Sequence, residues 1–325
     1  MGGGGDRADE GVIRRALAEA GYAAGGAPLR PGFRSWRWLA LLPGGRLAFY
    51  AGNPEAAERL ARERALLDLL GRRIGGFAVP AVEHVSADGR LQVRRMVDGT
   101  EWPGGDGRER ALAASPVGRR FAGELGRALA ELHGGVTPAE AEALGVPARG
   151  WLPRAAADLR RRLPGGLPEP ALEPVLEAVL DAYAALDEED GGRVLTHGDV
   201  GLHNMAIDPG TGRLLGLFDF EEAALDDRHA DLYGLHSYGD AFAEWALDAY
   251  AAASGVRPSV RRAAVHHLLG AFEALAGALA RGEPEMVARR LRWVREALAG
   301  TPGRLLGPPA AGGEAVSRAG MQTSN

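Results

Sequence analysis

The sequence predicts an α+β fold in two parts, a strand-rich N-terminal segment and a mostly helical remainder. Three observations lead there. Between residues 28 and 97, short apolar runs alternate with Gly/Pro turns around a single helical stretch. From about residue 100 the apolar residues take up helical spacing. Between them in style, residues 194–222 return to short strands whose ends carry Asp, Asn and Asp. A length of 325 residues suits one large domain or two lobes.

The opening residues 1–10, Gly-rich and acidic and without the apolar core of a signal peptide, are expected to be disordered. Residues 11–22 place Val12, Ile13, Leu17 and Ala20 near one face and predict a short amphipathic helix. Residues 28–51 predict three strands, parted by Pro31–Ser35 and by Pro43-Gly44-Gly45. Residues 54–71 predict a helix with Pro54 at its start and Gly71 just past its end. A hairpin is expected over 79–97, its two strands joined at Ala87-Asp88-Gly89. Trp102–Gly107 reads as a linker and residues 117–134 as an amphipathic helix ending at a Gly pair. Residues 136–168, broken by five prolines, are expected to be irregular. Helices are predicted at 169–187, 239–254, 258–281 and 285–299, and residues 301–325 read as a disordered tail.

The composition narrows the function. There is no cysteine, so disulfides, thiolate zinc sites and cysteine nucleophiles are excluded. The net charge of −5 argues against a nucleic-acid polymer as partner. No apolar run approaches membrane-spanning length, and the chain is expected to be cytoplasmic with no membrane partner. It also contains no lysine; every fixed positive side chain is an arginine. The bland cause is a GC-rich genome, but the two residues differ at buried phosphate sites.

The chemistry concentrates in residues 194–222. A short strand ends in His197-Gly198-Asp199; Asn204 follows; then a hairpin, Met205–Ile207 with Leu214–Phe218, delivers Asp219. A carboxylate to orient a hydroxyl, together with an Asn and an Asp to hold metal ions, is what phosphoryl transfer needs. Turn chemistry accounts for Asp208 and Gly210 but poorly for the whole set. A zinc site from His197, Asp199 and His203 is the other alternative, though no further ligand stands at a usual spacing.

The stretch resembles the catalytic core of the aminoglycoside phosphotransferase and choline kinase-like family, distant relatives of protein kinases. The resemblance implies a two-lobed protein-kinase-like fold, with a small β-rich nucleotide-binding lobe over residues 11–97 and a mostly helical lobe over 98–300 that is catalytic and binds the acceptor. It implies Asp199 as catalytic base, Asn204 and Asp219 as Mg²⁺ ligands, and His197 and Asp231 as supports of the loop. Glu63 stands where the family has a helix Glu that pairs with a base on the preceding strand, and that strand brings Tyr50 instead of a base. Arg34, beside the phosphate-covering loop, and Arg37 are candidates to compensate. Met96, in the stretch Arg94–Val97 where adenine usually binds, is a nucleotide contact or a core residue. The implied reaction transfers the γ-phosphate of ATP or GTP to a hydroxyl of an aminoglycoside-like, amino-alcohol or sugar acceptor; the alternative is an impaired relative that only binds nucleotide or ligand. Glu221, Glu222, Asp226, Asp227, Asp240 and Glu244 suggest a negative pocket for a cationic acceptor, with a solvated acidic face as the bland alternative.

Overall fold

The structure is a computed structural model that describes residues 10–22, 29–31, 37–105, 107–148, 158–163, 166–186 and 192–306. Of the segments expected to be disordered, 1–10 and 301–325, residues 1–9 and 307–325 lie outside these residues, as do Arg34 and most of the Pro31–Ser35 turn.

The N-terminal lobe is an antiparallel sheet of five strands in the order β1-β2-β3-β5-β4. The strands are β1 (Arg30–Pro31), β2 (Arg37–Leu42), β3 (Arg46–Ala51), β4 (Ala81–Val85) and β5 (Leu91–Arg95). Helix α1 (Glu10–Glu19) covers one face. Its Ile13 and Leu17 pack with Ala40, Leu42, Ala48, Tyr50, Leu91 and Val93. Helix α2 (Pro54–Arg73) covers the other face, where Leu60 and Ala56 meet Phe49 and Ala51. The period of two along a strand therefore sorts β3 cleanly: Ala48 and Tyr50 face α1, Phe49 and Ala51 face α2. Asn53 caps α2 by accepting the Ala56 amide at 2.8 Å, with Pro54 in the first turn, where a missing N–H costs nothing. The helix runs through Gly71 rather than stopping before it, because the last-turn carbonyl of Leu70 still finds the amide of Ile74 at 2.9 Å.

The lobes are stitched by backbone. Thr100 and Ile207 exchange both amide–carbonyl bonds, at 3.2 and 2.9 Å, and Ala78 bonds to Leu215 and Leu217. The second lobe holds helices α3 (Arg108–Ala114), α4 (Gly118–Gly135) and α5 (Pro138–Ala143). Helix α5 lies where prolines suggested irregular chain. Pro138 sits in its first turn, and Thr137 and Glu140 form a capping box, so here proline starts a helix. Residues 158–162 are helical as well. Further along come α6 (Glu173–Ala184), strands β6 (Arg193–Thr196), β7 (Met205–Asp208), β8 (Arg213–Leu217) and β9 (Ala224–Asp227), and the short α7 (His229–Leu232). β6 pairs with β9 and β7 with β8, both antiparallel. The chain closes with α8 (Asp240–Ser254), α9 (Val260–Arg281), α10 (Pro284–Ala299) and α11 (Thr301–Leu306).

Helix α4 is the core of this lobe. It approaches α8 so closely that a Cβ on Gly126 would stand 2.1 Å from the Ala246 carbonyl oxygen, which only glycine permits. Helix α9 is long and apolar enough to cross a membrane, contrary to expectation, yet most of it is buried against α6 and α10, the pattern of a core helix. The start of the expected tail is ordered: α11 buries Pro302.

Candidate active site

The loop after β6 is held by one buried carboxylate. Asp231, 1% exposed, accepts the amide of His197 at 2.7 Å and that of Gly198 at 2.9 Å. His133 of α4 approaches the same carboxylate at 3.1 Å and is itself placed by the Tyr250 hydroxyl at 2.9 Å. Gly198 has φ +82°, and a Cβ there would lie 2.2 Å from the Glu222 carbonyl oxygen, so the residue before Asp199 must be glycine. Asp231 lies inside α7 rather than ahead of it, which lets both its oxygens reach back to the loop.

His197 is buried and fully used. Its Nδ1 accepts the Asp199 amide at 3.3 Å and its Nε2 meets the Phe218 carbonyl oxygen at 3.1 Å, which together fix the tautomer protonated at Nε2. Both ring nitrogens are thus committed inside the loop, and the zinc alternative fails on geometry. Among the described residues no group of three or more His, Asp or Glu side chains is arranged to hold a metal by itself.

Asp199 projects from this loop, half exposed. The Asn204 amide donates to its carboxylate and to its backbone oxygen, each at 3.0 Å, and His203 Nε2 stands 3.1 Å from the same carboxylate. Burial alone would push the Asp199 carboxyl up, but the bonds from His203 and Asn204 and the nearby His197 outweigh it and hold it low. Reciprocally, the bond to Asp199 raises His203 against partial burial.

Asp219 arrives from β8 with φ +65°, among the described residues the one non-glycine in the left-handed region. A backbone strain of this kind persists where the surroundings over-determine it; here the preceding amide, of Phe218, is tied to the Asn204 carbonyl oxygen at 3.1 Å. Asn204 and Asp219 are therefore linked through backbone as well as sequence.

Between α2 and the sheet, a second cluster is built on arginine. Glu63 of α2 points inward, 4% exposed, and pairs with Arg94 of β5, each carboxylate oxygen 2.8 Å from a guanidinium nitrogen. Arg37 of β2 is 3.8 Å from the same carboxylate and 3.0 Å from both Asp219 and Glu221. Both guanidiniums stack on Phe49, at 4.9 and 4.3 Å from its centroid. Burial would raise the Glu63 carboxyl; Arg94 first and Arg37 second more than reverse that. Burial raises Glu221, with Asp219, Glu222 and Glu63 adding to it and Arg37 opposing, so negative charge is in excess at this point.

Tyr50 is not part of this cluster. It lies on the α1 face, 4% exposed, under the guanidinium of Arg90 at 5.0 Å. Phe49, one residue earlier, is on the face that meets α2. Met96 is neither core nor buried; it is 41% exposed, and its amide is already bonded to the Gly45 carbonyl oxygen at 2.8 Å. Arg94 was not singled out by sequence as the partner of Glu63. The alternation of β5 contains the signal: Leu91 and Val93 face α1, which sends Gln92 and Arg94 to α2.

On the other side of Asp199 opens a cavity of about 1090 Å³, lined from α3, α9, α10 and the loop itself. Tyr233, His236, Tyr238 and His267 form part of its lining. None of the six acidic residues expected to make a negative pocket lines it. Asp227 is turned into the core against His229 and Arg262, and Asp240 holds the Thr301 amide and Arg304.

A small lobe with a covered sheet, a helical lobe, and an Asp–Asn–Asp set between them define a kinase-like phosphotransferase. The family model for the APH phosphotransferase enzyme family matches residues 26–266, and the chain belongs to that family. It is a phosphotransferase with an alcohol group as acceptor. Solved structures share the fold. The GDP complex of wild-type aminoglycoside 2'-phosphotransferase-IIIa is 19% identical with a TM-score of 0.69, over 88% of this chain and 95% of that one. Macrolide 2'-phosphotransferase MphH from Brachybacterium faecium is 25% identical with a TM-score of 0.63, over 88% and 97%. The streptomycin–ATP ternary complex of APH(2'')-IIa is 16% identical with a TM-score of 0.60, over 91% and 98%. No curated protein matches the chain by sequence.

Proposed function

We propose that this enzyme transfers the γ-phosphate of ATP or GTP, with Mg²⁺, to a hydroxyl of a small molecule. The observation that carries the reading is the position of Asp199: it is locked by Asn204 in a loop anchored on Asp231 and opens onto a cavity large enough for a small acceptor. Asp199 would orient the acceptor hydroxyl and take its proton as the phosphorus–oxygen bond forms. Holding Asp199 ionised at neutral pH suits that role. Asn204 and Asp219 are hard oxygen donors of the kind magnesium prefers, and the excess negative charge around Asp219 and Glu221 fits a cation there. When bound, the metal supplies charge neutralisation for the phosphates.

Arg37 takes the place of the missing lysine. Among the described residues it is the cation paired with Asp219, and its reach to Glu63 ties the position of α2 to the metal-binding end of the site. Arginine offers more donors in a rigid fork, so one residue serves three carboxylates. The same engagement favours a second reading, an impaired relative that binds nucleotide weakly, since Arg37 is already occupied by carboxylates. Asp199→Asn separates the two. Under the first reading it abolishes transfer, by about a thousandfold or more, and leaves Mg²⁺–nucleotide affinity within a few-fold. Unchanged turnover in the variant would remove Asp199 from the chemistry; no turnover in the parent with nucleotide bound would favour the second reading.

A further inference from the structure

The residues between Asp199 and Asn204 do more than space them. The chain turns sharply here, the Asn204 amide donating to the Gly201 carbonyl oxygen at 2.9 Å. Leu202 and Asn204 are buried, at 0% and 4% exposure, and His203 between them comes back beside Asp199, where both line the cavity. His203 Nε2 stands 3.1 Å from Asp199 Oδ2, and the Asn204 side-chain nitrogen donates to that same oxygen at 3.0 Å. Among the described residues nothing bonds to Asp199 Oδ1. A carboxylate held by one bond can swing about it. Two donors on one oxygen set its plane and leave the other oxygen for a ligand.

A second observation is independent of that bond. Gly201 has φ −144°, an extended backbone open to any residue, so the turn itself does not require glycine there. A Cβ at this position would stand 2.4 Å from Cε1 and 2.7 Å from Nδ1 of His203, and the three nearest atoms all belong to that ring. The space left by the missing side chain is the space the imidazole occupies. His203 and Asp199 are both half exposed, and such a pair adds little to stability. The fold has little need of this arrangement.

We propose that His203 is a positioning residue for the transfer: its Nε2–H, beside the Asn204 amide, fixes Asp199 Oδ2, so that Oδ1 is the oxygen that orients the acceptor hydroxyl, and Gly201 makes room for the ring that does so. This rests on the phosphotransferase reading above and adds a residue to it. Neutral imidazole protonated at Nε2 and imidazolium both donate from that nitrogen, so the role does not require His203 to change charge. The Asn204 bond uses its side-chain nitrogen and leaves its oxygen for a cation, so the two tasks of Asn204 do not conflict. In the transfer, the acceptor oxygen forms a bond to the γ-phosphorus, the bond from that phosphorus to the bridging oxygen breaks, the nucleoside diphosphate leaves with the electron pair, and the hydroxyl proton passes to Asp199 Oδ1. A misplacement of about 1 Å can cost about a hundredfold in rate, which is the scale on which such a support acts.

The probe reaction is hydrolysis of Mg²⁺–ATP and Mg²⁺–GTP by the full chain, in which water stands in for the acceptor hydroxyl and makes the same demand on Asp199. His203→Phe keeps a ring and loses the donor; it should lower kcat about tenfold or more and leave the nucleotide KM within about twofold. His203→Gln, whose amide donates from nearly the same place, should recover most of the rate. Gly201→Ala should lower kcat about as far as His203→Phe does, and should cause no further loss when combined with His203→Ala. Melting temperatures should stay close to the parent's throughout. Nitrogen-15 NMR without nucleotide reads the bond itself: the Nε2 signal that is missing from His203→Gln should shift in both Asp199→Asn and Gly201→Ala. A His203→Phe variant with the parent's kcat, a His203→Gln variant no faster than His203→Phe, or an unmoved Nε2 signal would overturn the proposal. Asp199→Asn is assayed alongside. If it keeps the parent's rate, the phosphotransferase reading of Asp199 fails; if it loses that rate while His203→Phe keeps it, this inference alone fails.

Discussion

Replacing Arg94 by methionine probes the arginine pair that holds Glu63. Methionine keeps much of the volume and removes the charge. Glu63 would keep Arg37 alone, 3.8 Å away and shared with Asp219 and Glu221. With an effective dielectric of about 20, the lost contact at 2.8 Å corresponds to an attraction of about 6 kcal/mol. Part of that is offset, because Arg94 is no longer desolvated. Removing one partner of a buried pair typically costs about 3–5 kcal/mol, and that is the expected loss for Arg94→Met in urea melts. The double variant Arg94→Met/Glu63→Gln should recover at least half, since neither charge is then stranded. The four proteins form a double-mutant cycle. A single variant within about 1 kcal/mol of the parent, or a coupling energy below about 1 kcal/mol, would show that Glu63 is held in some other way and would refute the argument.

Asp231→Ala removes the acceptor of two loop amides, at 2.7 and 2.9 Å; it should cost about 1–3 kcal/mol per stranded amide and reduce kcat far more than nucleotide affinity, as equilibrium binding and steady-state kinetics would show. Asp219→Ala should weaken the magnesium dependence of nucleotide binding more than Asn204→Ala, because it loses a formal charge; equal metal titrations for the parent and Asp219→Ala would remove that residue from the metal site. Tyr50→Lys should lower the melting temperature and leave nucleotide affinity unchanged, because the ammonium would be buried under α1; tighter nucleotide binding would mean that the β3 face is wrongly assigned.

How far the sequence could be read depended on how local each signal is. Asp199, Asn204 and Asp219 were legible because one loop and one hairpin hold all three, and hairpin signals are short-range. Glu63 was legible as a position on a helix, but its partner was not, since Arg94 lies 31 residues away and meets it only through sheet register. The same limit misplaced Tyr50. A one-residue shift along a strand moves a side chain to the other face, and nothing local to Arg46–Ala51 says which face α2 covers. The lining of the cavity beside Asp199 was the furthest from reach. Acidic residues close in sequence to Asp219 suggested a negative pocket, but the lining comes from α3, α9 and α10, distant segments brought together by packing alone.

Two histidines of that lining set a pH dependence that can be signed in advance. Burial lowers His236 to about 4, with Asp240 opposing, and lowers His267 to about 3, with His236 adding to it. Geometry agrees that His267 is neutral: Nδ1 meets the Tyr233 carbonyl oxygen at 3.0 Å, and Nε2 accepts the Trp293 N–H at 3.4 Å, a bond that a second ring proton would break. In the unfolded chain both titrate near the ordinary histidine value of about 6.5. Below that pH the unfolded state binds protons that the folded state refuses, so stability falls with pH from about 6.5 until the folded values are reached. At about two pH units below the unfolded value, the loss is on the order of 2–3 kcal/mol for each histidine. His203 runs the other way: its raised value adds stability below about 6.5 that is lost as pH rises through that value. Its half exposure makes that contribution small. The melting temperature should therefore drop steadily between pH 6.5 and pH 5. Below about pH 4, where the His236 contribution ends, the fall should continue, as the partly buried Asp227, held low by His229 against its own burial, begins to take up protons in the unfolded chain and joins His267. His236→Asn/His267→Gln should flatten the curve between about pH 6.5 and 5 and leave only the Asp227 part of the fall below about pH 4. If the parent's melting temperature is level from pH 6.5 to 5, or if the double variant keeps the parent's slope, these histidines are not buried neutral in the folded enzyme, and the floor of the cavity beside Asp199 is open to water.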